Sequence, residues 1–517
     1  MIYNIKNKTK KILISKLLQQ NNINFPLPCG GNHTCGKCKI KVNGELSSIS
    51  DSERKLLTKE EVETGIRLAC MTTAYSDIEV DIDDLKSFKI LDYGIADNFI
   101  ADSFLSNSEY GLAIDIGTTT VVACLLKGSK NEFLSVKSEL NMQSIYGADV
   151  ISRITYLINH SNLEVTQTIV SQINKMIETL TKENSIGTKD IKYVTITGNT
   201  AMMHFFTGMN PKGIAYYPFT PESLFGDYID NDFGLNLPNE CKIYIPYCIS
   251  AYIGADLMCC ILSSNVIDHM DTYFIVDIGT NGEMALYRDG TISCCSTAAG
   301  PAFEGANIKF GMTASDGAIF KVYYERRYDS IQFETINNVQ AEGICGSGIV
   351  DALAVFLDLN IIDYTGRILA DGHRFTKNII YNNDEICFKF DDADVYITQN
   401  DVRQMQLAKG AIAAGIETLL FENNVKENDV KRFFICGGFG TYLDLNSSVK
   451  IGLLPKRVID RAMLLGNGAL AGAARIILDK SSIEKINFIK NMCSHIELSS
   501  NEAFMNKYIN HMNFHQW

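Results

Sequence analysis

The sequence predicts an α/β protein in two parts: a small β-domain around a cysteine-bearing loop, then a larger two-lobed unit. Three observations carry that expectation. An apolar run, an Asp-Ile-Gly-Thr turn and a second apolar run occur at residues 111–126 and again at residues 273–286. From Tyr110 onward strands alternate with helices, the pattern of layered α/β folds. Ahead of both, Cys29, Cys35 and Cys38 stand in a glycine-rich loop, with Cys70 following later.

Composition sets the bounds. A chain of 517 residues suggests about three domains, and 46% hydrophobic residues supports substantial cores. No run reaches the roughly 18 apolar residues of a membrane helix. Lys10, Lys11 and Lys16 interrupt the N-terminal apolar residues, so no signal-peptide core forms and a cytoplasmic location is expected. The net charge of −13 argues against a nucleic-acid partner, and the basic face of Lys6, Lys8, Lys10, Lys11 and Lys16 reads as solvated. Fifteen cysteines, several within apolar strands (Cys124, Cys259, Cys260, Cys436), suit a reducing compartment and small buried hydrophobes.

Cys29, Cys35, Cys38 and Cys70 differ from these. Their C-x5-C-x2-C spacing with a distant fourth cysteine is close to the plant-type [2Fe–2S] pattern. The loop offers no apolar residue to bury, and its glycines let backbone N–H groups point at cluster sulfurs. A structural zinc site is the rival, although zinc prefers paired C-x2-C units. The surroundings fit a ferredoxin-like β-grasp: an amphipathic helix over residues 11–20 burying Ile12, Ile14, Leu17 and Leu18, strands over 39–42 and 77–82, and a helical stretch over 53–57 capped by Ser52. Only ten residues precede the first helix, so the usual opening hairpin is expected to be shortened, leaving a more open sheet edge. This domain is placed at residues 1–86 and a linker at 87–108.

Residues 109–268 and 269–480 read as two lobes, with a helical tail over 481–517. In Asp115-Ile-Gly117-Thr118-Thr119-Thr120 the glycine allows close approach of a ligand, the N–H groups and hydroxyls supply donors, and Asp115 supplies a carboxylate for hydrated Mg²⁺. Such a turn cradles a phosphate or simply joins a hairpin. Asp277-Ile-Gly279-Thr280 repeats it, and two facing copies bracket one nucleotide. Arg432-Phe-Phe-Ile-Cys-Gly437-Gly438 is a buried strand ending in bare backbone suited to a nucleoside. Asn199 and Thr200, between a strand and a helix, reach phosphate or cap the helix. Tyr252-Ile-Gly254-Ala-Asp256 offers another carboxylate or cap. Residues 293–312 and Gly343-Ile-Cys-Gly346-Ser-Gly348 are expected to line the adenosine side. Helices are expected over 164–182, over 401–420 with Val402, Met405, Leu407, Ile412 and Ile416 inside, and over 502–514, where His511 and His515 form a polar face or, less simply, a metal pair.

The three glycine turns resemble the two phosphate motifs and the adenosine motif of the ASKHA superfamily of acetate and sugar kinases, heat-shock chaperones and actin, a duplicated RNase H-like fold. Gly466-Asn-Gly468-Ala-Leu-Ala-Gly472 resembles its second connecting helix. Together with the [2Fe–2S] loop, Gly198-Asn-Thr-Ala-Met-Met-His204, Ala299-Gly-Pro-Ala-Phe-Glu-Gly305 and the Gly343 motif, the whole chain resembles the reductive activators of corrinoid proteins. The resemblance implies an ATP-hydrolysing homodimer, supplied by a low-potential reductant, that returns the Co(II) corrinoid of a methyltransferase system to Co(I). It implies ATP, Mg²⁺ and [2Fe–2S] as cofactors. Longer members carry a middle domain that the linker is too short to hold, so that domain is expected to be missing. Two alternatives remain at this point: a small-molecule kinase with an accessory redox domain, and a ferredoxin-like carrier with a regulatory nucleotide module.

Overall fold

The computed structural model describes residues 2–7, 9, 11–21, 38–57, 59–81, 103–128, 132–147, 149–382, 384–437 and 443–517. The chain divides into two compact units, Met1–Phe88 and Lys89–Trp517. Cys29, Cys35, Gly438 and residues 82–102, which hold the end of the expected first domain and most of the expected linker, lie outside the described residues.

The first unit is a five-stranded sheet. Its central strand, Thr73–Asp81, pairs antiparallel with Lys39–Leu46 on one side and Ile2–Ile5 on the other, and Ile66–Leu68 flanks Lys39–Leu46. Ile12–Leu13 also pairs with the central strand, so the two opening strands bind a common partner and form no hairpin with each other. That pairing shortens the first helix. It runs Ile14–Gln20, three residues later than the amphipathic pattern suggests, because Ile12 and Leu13 serve the sheet and Ile14 N–H donates to Thr72 O. Ile14, Leu17 and Leu18 are fully buried, whereas Ile12 is half-buried. The next helix is one turn, Asp51–Arg54, and its cap is Ser50 rather than Ser52, with Ser50 Oγ accepting from Glu53 N–H at 3.1 Å.

Glu53 then turns inward. Its carboxylate is fully buried, accepts Nε and Nη2 of Arg67 at 3.0 Å each, and also accepts Leu68 N–H and the Thr72 hydroxyl. Burial works to raise its pKa, yet Arg67 and Leu68 N–H overcome this and hold it below the usual range. The bidentate pair ties residues 67–72, which carry Cys70, to the helix.

The second unit contains two six-stranded sheets of matching plan. In one, Tyr110–Ile116, Thr120–Lys127 and Glu132–Leu140 form an antiparallel meander; Ile191–Gly198 and Lys242–Ile245 add in parallel beside Tyr110–Ile116, with Asp227–Ile229 at the edge. In the other, Thr272–Ile278, Gly282–Arg288 and Thr291–Thr297 form the meander; Val430–Cys436 and Ala462–Gly466 add in parallel, and Cys493–His495 joins Thr291–Thr297. Each sheet therefore has spatial order 3-2-1-4-5 over its shared strands. Asp115 and Asp277 are the penultimate residues of the two first strands.

The helices Ala255–Ser264 and Gly468–Leu478 cross in close contact. A Cβ on Gly472 would stand 2.2 Å from Cys259 O, so the crossing needs a glycine. The described end of the expected linker is docked rather than free: Phe104 N–H donates to Ile477 O, and Leu105 is buried. The helix Gln399–Glu422 buries Val402, Met405, Ile412 and Ile416 as its period implies, but Leu407 is only half-buried while Lys409 is fully enclosed. The last helix, Glu502–His511, stops before His515, so the two histidines do not share a helical face; His511 Nε2 instead bonds Glu417 Oε2 at 2.7 Å. Among the described residues no helix is long and apolar enough to cross a membrane.

Candidate functional site

Both duplicated turns are closed by their own backbone: Gly117 N–H donates to Thr120 O at 2.9 Å, and Gly279 N–H to Asn281 O at 3.1 Å. The first turn is also held from behind. Asn141 Nδ2 donates to Gly117 O at 2.8 Å, Arg153 Nη2 to Thr118 O at 2.6 Å, and Asn141 N–H to Thr119 O at 2.8 Å. Three successive carbonyls are thus engaged by the protein and Gly117 N–H is spent inside the turn, so an anion here would be met by donors that follow Gly117. Asn199 caps the helix, its Oδ1 accepting Met202 N–H at 3.0 Å, and its Nδ2 donates to Thr118 Oγ1 at 2.9 Å.

The turns meet at Thr119 and Thr280. Thr119 Oγ1 and Thr280 Oγ1 lie 3.0 Å apart, and both donate to Glu304 Oε2, at 2.6 and 2.5 Å. Of residues 293–312, expected on the adenosine side, Glu304 stands against both Asp-Ile-Gly-Thr turns. Strand register explains it. Thr297 pairs with Gly282, so the chain leaving Thr291–Thr297 emerges beside the Asp277 turn, and Gly300 N–H donates to Thr280 O at 2.9 Å. Gly343-Ile-Cys-Gly346-Ser-Gly348 opens the helix Gly346–Asp358 and packs tightly: a Cβ on Gly348 would lie 2.1 Å from Ile319 O.

Asp115, Asp256, Asp277 and Glu304 are all partly exposed. Burial, reinforced by Asp256 and Asp277, raises Asp115 to about 7 against the opposing hydrogen bond from Asn467 Nδ2 at 2.8 Å. Burial, then Asp256 and Glu304, likewise raises Asp277 to about 7. Asp256 is raised by burial, and Glu283, paired with it, is pushed well up by burial and by the Asp256 charge. Among the described residues Glu283 Oε1 is buried with no hydrogen-bond partner. Carboxyl groups near one another raise one another's pKa, and since among the described residues no three acidic, thiol or imidazole groups converge to hold a metal directly, a Mg²⁺ ion here would be met through its water shell. Gly437 completes the cleft. Its φ is +102°, and a Cβ there would lie 2.4 Å from Ile278 O and 2.8 Å from Asp277 Oδ1, so bare backbone passes beside that carboxylate.

Arg153, fully buried, and Asn141 carry no motif and were not legible as site residues. Glu304 was legible only as part of a motif whose position depends on strand register.

In the first unit, Cys38 precedes Lys39–Leu46 and Cys70 follows Ile66–Leu68, and these strands pair directly. Ala69 N–H donates to Cys38 O at 2.8 Å, and the two sulfurs lie 3.1 Å apart. The hydrogen bond with Cys70 lowers Cys38 to about 7, toward the thiolate that metal ligation requires. Two cysteine sulfurs brought together from paired strands are the donor type that an iron–sulfur cluster takes.

Comparison with known proteins matches both units to families. Residues 4–75 match the 2Fe-2S iron-sulfur cluster binding domain, residues 110–269 the RACo middle region, and residues 271–517 the C-terminal domain of RACo, the ASKHA domain. The matched middle region covers the first six-stranded sheet and its helices, the residues that the sequence places in the first lobe. The chain is 30% identical to the corrinoid activation enzyme RamQ of Eubacterium limosum, over 97% of this chain and 96% of that protein. It is 26% identical to the [Co(II) methylated amine-specific corrinoid protein] reductase of Methanosarcina barkeri, over 77% of this chain and 76% of that one. The solved structure of a reductive activator for corrinoid, iron-sulfur protein superposes with a TM-score of 0.76 at 26% identity, covering 99% of this chain and 98% of that one. With a cluster domain, a middle region and an ASKHA domain in one chain aligned end to end with such a protein, this chain belongs to the RACo family of corrinoid activators.

Proposed function

We propose that the chain is an ATP-dependent reductive activator that passes one electron to the Co(II) corrinoid of a partner methyl-transfer protein and so restores Co(I). The observation that carries this reading is the joining of a paired-cysteine unit and a two-turn phosphate cleft in one chain of this family. Cys29, Cys35, Cys38 and Cys70 hold the [2Fe–2S] cluster, which when bound supplies the low-potential electron, near about −400 mV for the plant type. Each further 100 mV of uphill transfer costs about 2.3 kcal/mol per electron, within reach of ATP hydrolysis.

In the second unit, Asp115 and Asp277 orient the water shell of Mg²⁺. Gly117, Thr118, Thr119, Gly279 and Thr280 receive the phosphates, Asn199 holds the Thr118 hydroxyl in place, and Gly437 with Gly438 seats the nucleoside. Asp115 and Asp277 stand near the ends of strands of different sheets, so both sheets would contribute a carboxylate toward a bound Mg²⁺, which would supply charge to the phosphates. A homodimer, reloaded by a low-potential reductant, works in the cytoplasm, where its fifteen cysteines stay reduced.

The test is anaerobic reduction of a Co(II) corrinoid protein, followed by the absorbance of Co(I) under strong reductant. Co(I) formation is expected to require ATP and an intact cluster. Asp277→Asn is expected to slow hydrolysis by about a hundredfold and to abolish Co(I) formation with the cluster still present. Co(I) appearing at full rate without nucleotide would leave a simple electron carrier instead.

A further inference from the structure

We propose that Glu304 is the catalytic carboxylate of ATP hydrolysis, accepting the proton of the attacking water between the two phosphate turns; this rests on the nucleotide cleft described above. The geometry separates the two oxygens of this side chain. Oε2 is fixed by the hydroxyls of Thr119 and Thr280, one from each duplicated turn, at 2.6 and 2.5 Å. Oε1 has no hydrogen-bond partner among the described residues and lies 3.9 Å from the position of a Cβ on Gly279, on the side of the second turn. One oxygen is thus an anchor and the other an open acceptor.

The backbone behind Glu304 gives that placement rigidity. Pro301–Glu304 is a short helical turn opened by Gly300 at φ +78° and closed by Gly305 at φ +84°. Gly300 N–H is held by Thr280 O, and a Cβ on Gly305 would meet Met312 backbone at 2.6 Å. Glu304 as a residue is partly exposed. Burial raises its pKa, opposed by the two threonine hydroxyls, which suits a group that takes up a proton and releases it.

In the step itself the water oxygen forms a bond to the γ-phosphorus, and its proton passes to Glu304 Oε1. The bond from γ-phosphorus to the bridging oxygen breaks, with its electron pair leaving on ADP. The proton then leaves Glu304 for phosphate or solvent. A carboxylate beside the γ-phosphate also repels it in the ground state, so the same residue that speeds hydrolysis weakens ATP binding.

The deciding variant is Glu304→Gln, whose amide oxygen still accepts from both threonines and preserves the turn. Steady-state turnover is expected to fall on the order of a hundredfold, while the ATP affinity read by calorimetry tightens. Turnover retained within about threefold, with or without a change in affinity, would overturn the assignment. So would a loss of turnover accompanied by loss of ATP binding in a protein of unchanged thermal transition, which marks a structural role. Failure of the wild-type protein to bind or hydrolyse ATP would instead sink the cleft reading, and with it this one.

Discussion

Thr119 Oγ1 and Thr280 Oγ1, 161 residues apart in the chain, lie 3.0 Å apart and share the Oε2 atom of Glu304 as acceptor. Each belongs to one copy of the same strand–turn–strand, one per sheet, so this contact is where the duplication closes on itself. A carboxylate receiving two hydroxyl donors is charge-assisted and stronger than a neutral pair.

The first prediction tests that shared acceptor. Thr119→Val and Thr280→Val each remove one hydroxyl at nearly constant volume and should each lower kcat/KM for ATP by roughly tenfold, the scale of one hydrogen bond to a charged group. Because both act through Glu304, the double variant should lose less than the product of the two. Fully multiplicative losses in the four-protein cycle would show that the hydroxyls act independently.

Cys70→Ser addresses the first unit. The variant should contain little iron and lack the EPR signal of a reduced [2Fe–2S] centre. Since the cluster unit and the nucleotide unit have separate cores, ATP hydrolysis should stay within about twofold of the parent. Zinc in place of iron in the parent protein would contradict the ligand assignment.

Glu53→Gln leaves Arg67 buried without its full charge partner, a change that costs about 3–5 kcal/mol when a buried pair is broken. The first unit should melt earlier and lose its cluster on mild warming. The thermal transition of the second unit should not move. A first unit of unaltered stability would mean that the pair is dispensable for the Cys70 loop.

Lys409 predicts a pH dependence. It is fully buried, donates to Asn513 O, and lies 5.4 Å from the centre of the Phe514 ring; burial lowers its pKa from 10.5 to about 7. Between pH 7 and 10.5 the unfolded chain holds a proton that the folded chain does not. Stability from this residue therefore rises with pH across that window, by at most about 1.4 kcal/mol per unit. Denaturation of the parent and of Lys409→Met at pH 7 and pH 9 should show the difference moving in favour of the parent at the higher pH. A difference independent of pH would mean that the amine stays charged in the fold.

Local spacing made much of the protein readable before any coordinates. The cysteine spacing points to a metal cluster because ligation depends on a loop of set reach, and the repeated Asp-Ile-Gly-Thr turn reports a duplicated strand pair because a tight turn needs those residue types in that order. The apolar period also located the helices Asn162–Glu183 and Gln399–Glu422 to within about two residues at each end. It failed at Leu407 and Lys409, where period alone assigns the inner face by hydrophobicity and the docked C-terminal residues provide a carbonyl and a ring for an amine. The first helix began late for a similar reason, since Ile12 and Leu13 were claimed by a strand some sixty residues away.

The sequence by itself determined the chemistry available: four cysteines at cluster spacing, two carboxylates at the ends of repeated strands, and glycines where a nucleotide needs open backbone. Only the tertiary structure decided which groups face one another. Strand register carried Glu304 to the phosphate side, burial drove Glu53 onto Arg67, and Arg153 and Asn141 reached the first turn from outside any motif. The reason is physical. Local patterns encode turns and apolar faces, whose energetics are settled among near neighbours, whereas a buried polar group is tolerable only with a partner, and that partner is chosen by contacts far along the chain.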